Sequence, residues 1–401
     1  MFVLAVVSLG CVLGVLHTYL FYPTYVRYLA RRVRRPLREG SMQDKEWPAV
    51  RILMAVHNEE VVLPAKLDCL IEQDYPGTLH IYIANDCSTD RTAAILASAV
   101  ASAPPHRPIY VTHNPYRRGK PSSINTIARG AGPQDVNILT DASVMMPPTT
   151  VRALLQPLVQ DASIGLVDST LVHTDAGVEG IARSELQYIN GEVALKRAEG
   201  RAFGYTMGPF GGCFALRAAA FTSVPDTFLV DDFFLCMSAY RRGWRGVSSP
   251  EAVVYESVGQ TVAGEFRRKV RISSGNWQNL VHFSELWWPP HRSALAFAFF
   301  SHKVLRWLTP FLLLLLAVCL LLLWRVGGNY WAGLTLVLGG SLPVLTWLVD
   351  TLLRQVGIAL PHLRHLNYFL AMNAALLVGF VRYLTGITTN VWQPSHRPRR
   401  D

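Results

Sequence analysis

Hydrophobic and polar positions divide the chain into regions of different character. A long apolar run opens it at Phe2–Tyr22, and apolar runs return near 308–324, 331–350 and 366–386. Between residues 51 and 262, short apolar runs of strand length alternate with segments of helical periodicity. That alternation is typical of a parallel sheet with crossover helices, so the sequence predicts an α/β domain with transmembrane helices at both ends of the chain.

Three of the short apolar runs end abruptly in polar, acid-bearing residues. They are 51–56 followed by His57-Asn58-Glu59-Glu60, 79–84 followed by Asn85–Asp90, and 136–140 followed by Asp141-Ala142-Ser143. Short, mainly apolar runs of this length are typical of buried parallel strands. Because ligands bind beyond the carboxyl ends of such strands, the three ends predict a site for a metal ion or a nucleotide.

The other elements of this domain follow from periodicity and helix-start signals. Helices are predicted over 61–72, 91–102, 122–129, 151–160 and 228–242, and a further strand over 164–172. The glycine-rich segment 204–212 is predicted to be a loop against the site.

The first apolar run is about 21 residues without Asp, Glu, Lys or Arg, long enough to cross a hydrocarbon core of about 30 Å. It lacks the basic start and small-residue cleavage site of a signal peptide, so a retained transmembrane helix over 1–24 is favoured. A basic juxtamembrane linker over 25–50 follows. Its arginines are Arg27, Arg31, Arg32, Arg34, Arg35 and Arg38. Basic residues beside a span mark the cytoplasmic side, which places the next domain in the cytoplasm.

These arginines account for much of the formal net charge of +10. A basic run also suits nucleic acid, but its position beside a span favours anionic lipid headgroups, and no nucleic-acid partner is expected. The six cysteines are scattered without a CxxC pair, which predicts reduced thiols and no zinc–thiolate site.

The last third of the chain carries the remaining membrane signals. Amphipathic helices over 263–303, with cations and a Trp287-Trp288 pair, are predicted to lie along the inner membrane surface. Transmembrane helices over 304–390 and a basic tail over 391–401 complete the chain. Three C-terminal crossings would place this tail outside the cell, whereas its basic residues favour the cytoplasmic side. Three or four spans therefore stay open, counting the N-terminal one.

Motifs in order along the chain resemble those of family 2 glycosyltransferases with the GT-A fold. They are Val56–Glu60, Asn85–Asp90, Gly119-Lys120 with Asn125, Asp141, and Asp231-Asp232, and the resemblance spans residues 51 to about 280. It extends more loosely to the apolar helices, where the chain is similar to membrane-embedded synthases of cellulose, chitin and hyaluronan. The resemblance implies a Rossmann-like, mostly parallel catalytic domain over 51–262. It also implies inverting transfer from a nucleotide sugar, in the first instance a UDP sugar, to a saccharide or lipid-linked hydroxyl.

The resemblance also assigns roles to side chains. Its nucleotide-sugar-binding positions fall on His57, Glu59, Asp86, Lys120, Asp141 and Arg271. Carboxylates such as Glu59 and Asp86 can accept hydrogen bonds from the nucleoside, and Lys120, before a predicted helix start, suits the diphosphate.

Asp141-Ala142-Ser143 stands at the position of the family's DxD metal motif. The resemblance therefore implies Mg²⁺ or Mn²⁺ bound by Asp141 and more weakly by Ser143, which replaces the second carboxylate. Asp232 corresponds to the family's general base, which deprotonates the acceptor hydroxyl, and Asp231 is the alternative candidate. Of the QxxRW motif found in processive synthases only Arg271 is present, so processivity stays open.

Two other functions also stay open. A polyprenyl-phosphate sugar transferase has a phosphate acceptor, for which a strong base is less necessary. A catalytically silent nucleotide-binding membrane protein of a secretion complex would fit the loss of the second DxD acid. For each of these readings the predicted location is the bacterial inner membrane.

Overall fold

The computed structural model describes residues 1–33, 47–174, 181–257, 262–355 and 360–391. The chain divides into two compact units. The sheet unit comprises Leu29–Asp175, Val193–Gln260 and Gly386–Asp401, and the helical unit comprises Met1–Tyr28, Ala176–Glu192 and Thr261–Thr385. The predicted basic tail, apart from residue 391, and the second half of the arginine run lie outside the described residues.

One seven-stranded sheet forms the centre of the sheet unit. Its strands are β1 (Val50–Val56), β2 (Leu79–Asn85), β3 (Ile109–His113), β4 (Val136–Thr140), β5 (Ile164–Thr174), β6 (Cys213–Arg217) and β7 (Arg245–Ser257). They lie in the order β3-β2-β1-β4-β6-β5-β7. Neighbouring strands are parallel except that β6 runs antiparallel to β4 and β5, which confirms the predicted mostly parallel sheet.

The helices follow in chain order. They are α1 (Phe2–Leu16), α2 (Tyr22–Arg32), α3 (Leu63–Ile71), α4 (Thr92–Ser102), α5 (Lys120–Ala128), α6 (Thr150–Gln160), α7 (Ile181–Phe203), α8 (Asp231–Arg241), α9 (Val262–His282), α10 (Ser284–Trp287), α11 (Ala294–Phe299), α12 (Leu305–Arg325), α13 (Tyr330–Gln355) and α14 (Pro361–Leu384). The helix predicted over 228–242 begins three residues later, at Asp231. Two carboxylates in its first turn suit the positive end of the helix dipole.

The sheet core places the predicted strand ends side by side. Strands β1 and β4 are buried along their whole length, as expected for central parallel strands. In the register of β1 and β2, Val56 lies opposite Asn85, and the backbone N–H of Asp86 donates to the Val56 carbonyl (2.8 Å). The residues that follow β1, β2 and β4 therefore meet at one edge of the sheet.

Among the described residues, four helices are long and apolar enough to cross a membrane. They are Phe2–Arg32, Ala294–Arg325, Tyr330–Leu353 and Leu363–Leu384. The first continues through Arg32, so the predicted linker over 25–50 begins as helix. The second begins at Ala294, inside the region predicted to consist of interfacial helices. These four are candidates by length and composition alone, so the number of spans stays a prediction.

Helix α9 packs against α14 through small side chains. Ser273 Oγ donates to the Leu376 carbonyl (3.1 Å), and a Cβ at Gly379 would overlap Ser273. Trp277 is 7% exposed and packs against the rings of Phe311 and Phe380. Its ring therefore packs within the helical unit.

Candidate active site

The turns that follow β1 and β2 hold each other in place. Asn58 (φ +53°) and Cys87 (φ +57°) both adopt the left-handed conformation, which non-glycine residues seldom adopt. The Asn58 side chain accepts a hydrogen bond from the backbone N–H of Thr89 (2.8 Å), and the Asn58 N–H donates to Ser88 Oγ (3.0 Å). These bonds lock the two strand ends together.

His57 and Glu59 lie within these turns. The His57 ring is buried, and its Nδ1 lies 2.9 Å from the carbonyl oxygen of Asp86. The backbone N–H of Glu59 donates to Thr92 Oγ1 (2.9 Å), which ties this residue to the start of α4. His57 therefore supports the turn, and Glu59 presents a partly exposed side chain at the sheet edge.

Asp86, directly after β2, is buried and anchors the loop that precedes α5. Its carboxylate accepts hydrogen bonds from Asn114 Nδ2 (2.9 Å) and from the backbone N–H groups of Arg118 (2.8 Å) and Gly119 (3.0 Å). The Arg117 guanidinium lies 3.8 Å from the same carboxylate. The sequence prediction gave Asp86 a nucleoside-binding role and missed this anchoring role, because its partners are mainly backbone groups.

Helix α5 is held at both ends. Gly119 (φ +85°, ψ 164°) has a conformation that is essentially restricted to glycine, and a Cβ there would lie 3.1 Å from the Asn390 carbonyl oxygen. At the other end, the buried Arg51 donates to the last carbonyls of the helix at 2.9–3.0 Å. The side chain of Asn125, also part of the motif set, bonds both backbone groups of Val224. The position of Lys120, the first residue of α5, is therefore fixed by the fold.

Lys120 lies among the acidic residues of the site. Its Nζ is 2.7 Å from Asp141 Oδ1 and 3.8 Å from Asp231 Oδ2. Burial opposes its charge, but the carboxylates of Asp141, Asp231 and Asp232 raise the pKa of Lys120 above its ordinary value. A cation that stays protonated at a helix N-terminus can bind the oxygens of a diphosphate.

Lys66 of α3 donates hydrogen bonds to the turn that carries Asp141. Lys66 is fully buried, and its Nζ donates to Thr140 Oγ1 (2.8 Å) and to the Val144 carbonyl (2.5 Å), on either side of the motif. Burial lowers the pKa of Lys66. The sequence prediction missed this residue; a lysine within the apolar stripe of α3 was the signal that could have found it.

The metal motif offers oxygen atoms only. Ser143 Oγ lies 3.3 Å from Glu256 Oε1 on β7, beside the bridge that pairs Met145 with Tyr255. Among the described residues, no group of three or more His, Cys, Asp or Glu side chains could hold a metal ion. The donors nevertheless fit a hard divalent cation, because Mg²⁺ commonly binds one or two carboxylates and takes its other ligands from substrate phosphates and water.

Asp232 lies in the first turn of α8, next to Asp231. Burial and the charge of Asp231 raise the pKa of Asp232 to about 6, although the charge of Lys120 opposes the shift. A carboxylate with a pKa near the working pH is suited to accept a proton. Gly211 passes so close to it that a Cβ at Gly211 would overlap the Asp232 carboxylate.

The sheet unit thus brings together most of the predicted site residues. They are His57, Glu59, Asp86, Lys120, Asp141, Ser143 and Asp232. Arg271 lies on α9 in the helical unit, so its part in the site stays a prediction.

Two family models match the chain and together cover this constellation. Glycosyl transferase family 2 matches residues 51–224, and Glycosyl transferase family group 2 matches residues 188–327. The chain carries glycosyltransferase family 2 domains. This match indicates a transferase.

Individual relatives of this glycosyltransferase are more distant. An N-acetylglucosaminyltransferase of Rhizobium meliloti (strain 1021) is 25% identical over 284 residues, 68% of this chain and 61% of that protein. The protein named probable glycosyltransferase YdaM of Bacillus subtilis (strain 168) is 26% identical over 303 residues, 73% of this chain and 70% of that protein. The chain therefore spans about three fifths of the length of the first of these relatives.

A solved structure shows the same fold over nearly the whole chain. The mannosyltransferase PcManGT from Pyrobaculum calidifontis, in complex with GDP-Man and Mn²⁺, superimposes with a TM-score of 0.67 at 20% sequence identity. The match covers 94% of this chain and 99% of that chain. It confirms the GT-A fold of this family 2 glycosyltransferase.

Proposed function

We propose that this enzyme transfers a sugar, with inversion, from a nucleotide sugar to a hydroxyl of a saccharide or lipid-linked acceptor. The observation that carries the proposal is the placement of Asp232 beside the Lys120–Asp141 pair. A carboxylate whose pKa is raised to about 6 suits proton abstraction, and an ammonium at a helix N-terminus suits a diphosphate.

The donor side of the reaction is assigned to the strand ends and α5. Glu59 accepts hydrogen bonds from the nucleoside, Asp86 shapes the loop that follows, and Lys120 binds the diphosphate. A Mg²⁺ or Mn²⁺ ion held by Asp141 and Ser143 would stabilise the negative charge of the leaving nucleotide. The Mn²⁺ in the PcManGT complex supports a divalent ion in this fold.

The acceptor side is assigned to Asp232. Its carboxylate takes the proton of the acceptor hydroxyl while the hydroxyl oxygen bonds to the anomeric carbon. The bond between that carbon and the diphosphate oxygen breaks, and the nucleotide leaves with the electron pair. A single displacement from the opposite face inverts the configuration at the anomeric carbon.

The substrates and location are proposed from the relatives and the helices. The name of the Rhizobium meliloti relative supports UDP-N-acetylglucosamine as the first donor to test, and the GDP-Man complex supports GDP-mannose as the second. Four apolar helices support an integral membrane enzyme, and the bacterial relatives suit the bacterial inner membrane. Arg27, Arg31 and Arg32 at the end of the first apolar helix support a cytoplasmic catalytic domain.

A donor panel tests the proposal. The full-length protein in nanodiscs is given UDP-N-acetylglucosamine, UDP-glucose or GDP-mannose with a bacterial lipid extract and saccharide acceptors, and nucleotide release is followed. We expect release from one donor with Mg²⁺ or Mn²⁺ and its loss with a chelator. Absence of release from every donor, with nucleotide still bound, would instead support the silent binding protein.

A further inference from the structure

A further ion pair, formed by side chains that are both largely buried, lies in the sheet unit. Asp168 on β5 and Lys196 on α7 are 2.9 Å apart, and their side chains are 2% and 8% exposed. Removing two charges from water carries a large desolvation penalty, so a buried pair is weak evidence for stability. None of the roles assigned above to the donor or acceptor sides uses either residue.

The Asp168–Lys196 pair contacts the glycine-rich loop of residues 204–212. The second carboxylate oxygen of Asp168 accepts a hydrogen bond from the backbone N–H of Phe210 (2.6 Å). One turn along α7 from Lys196, the buried Glu199 accepts from the backbone N–H of Met207 (3.2 Å). Two buried carboxylates therefore fix the backbone of this loop from the side of β5 and α7.

The same loop contacts helix α8 at two places. The Tyr240 hydroxyl of α8 donates to the Thr206 carbonyl at 2.7 Å. At the other end of the loop, Gly211 lies directly against the Asp232 carboxylate, where even a methyl group would overlap it. The position of this loop therefore sets the space available to the Asp232 side chain.

We propose that Asp168 and Lys196 form a positioning pair for Asp232. The pair holds the loop of residues 204–212 against the Asp232 carboxylate, and its two opposite charges nearly cancel each other's effect on that carboxylate. The inference rests on the proposed function, in which Asp232 is the base. Neither residue is proposed to touch substrate. Their effect on catalysis passes through the loop and through the electrostatic field at Asp232.

The charges around Asp232 decide what each substitution should do. Among the described residues, the charges that face it are Asp231 on α8, Lys120 on α5 with its partner Asp141, and Lys196 on α7 with its partner Asp168. The Cys236 thiol of α8 also faces it but is neutral, because burial raises its pKa. The charge of Lys196 lowers the pKa of Asp232. Neutralising Lys196 removes a cation, which raises the pKa of Asp232, and neutralising Asp168 removes an anion, which lowers that pKa further.

The test compares the acid limb of the pH–rate profile in four variants of the full-length enzyme. We expect Lys196→Met to move the limb of kcat/KM to higher pH and Asp168→Asn to move it to lower pH. A unit charge at roughly 10 Å shifts a pKa by about one unit at an effective dielectric constant of about 20. The conservative variant Lys196→Arg should keep the wild-type limb. The exposed pair Arg152–Asp74 supplies a matched control, because Arg152→Met should leave the limb unmoved.

Opposite shifts separate this role from a merely structural one, which would lower the rate at every pH. If Lys196→Met fails to fold, Lys196→Gln, which removes the charge but keeps a hydrogen-bond donor, takes its place. Shifts in the same direction, or none, in an active enzyme would overturn the inference alone. An inactive wild type would overturn the proposed function and this inference with it.

Discussion

The substitution Asp232→Asn should lower kcat by about 10²–10⁴-fold, the usual contribution of a general base. The amide has nearly the shape of the carboxyl group and can still accept the hydrogen bond from the Phe233 N–H (2.8 Å), but it cannot take up a proton. Binding of the donor, measured by titration calorimetry, should change little. Nucleotide release under saturating donor gives the rate.

The pH profile of the wild type provides an independent check on Asp232. Burial and Asp231 raise its pKa to about 6, so below that pH it is protonated and cannot act as a base. Activity should therefore rise with pH through about 6 and then level off.

Asp231→Asn is the matched control for Asp232→Asn. It keeps the base and removes a carboxylate 3.8 Å from Lys120, so a smaller loss of activity is expected. A tolerated Asp232→Asn, with sugar appearing on a lipid phosphate, would favour a polyprenyl-phosphate transferase instead.

Removing the charge at Asp141 should have the second large effect. Asp141→Asn eliminates the one carboxylate of the metal motif and the anion 2.7 Å from Lys120. Stabilisation of a leaving group by a metal ion is worth several kcal/mol, so transfer should fall by about 10²-fold or more. Binding of Mn²⁺ in the presence of the nucleotide, followed by electron paramagnetic resonance, should weaken in parallel.

The reverse change at Ser143 should strengthen the ion's binding. Ser143→Asp restores the second carboxylate, and higher ligand charge raises the affinity for hard cations; we expect about tenfold. Because the new carboxylate faces Glu256, added Mn²⁺ should also raise the unfolding temperature more than in the wild type. Ser143→Asn has the same size without the charge and serves as the control. Equal Mn²⁺ binding in all of these variants would place the metal elsewhere.

The strand ends were predictable from the sequence because a buried apolar strand there passes directly into polar, acid-bearing residues. Strands β1, β2 and β4 are mainly apolar runs followed by acid-bearing turns, and parallel pairing brings their ends to one edge. The edge strand β3 gave no such signal, since only Ile109 of its five residues is buried. The antiparallel course of β6 depends on long-range pairing, which a local pattern does not encode.

The supporting residues of the site were less predictable for a different reason. Asp86 and Asp168 bind backbone N–H groups of distant loops, and any loop sequence could supply such donors. Lys66 stands out as a lysine on the apolar face of α3, but the turn to which it donates hydrogen bonds follows only from the tertiary fold. Side chains that contact substrate follow motifs, whereas side chains that hold the site together follow the tertiary fold.

The configuration of the product tests the central claim most directly. The donor identified by the panel, with its α-linked sugar isotopically labelled, is incubated with the enzyme, and the anomeric centre of the product is read by nuclear magnetic resonance. A hydroxyl activated by Asp232 and attacking opposite the diphosphate predicts a β-linked product. An α-linked product would contradict a single displacement and, with it, the role given to Asp232.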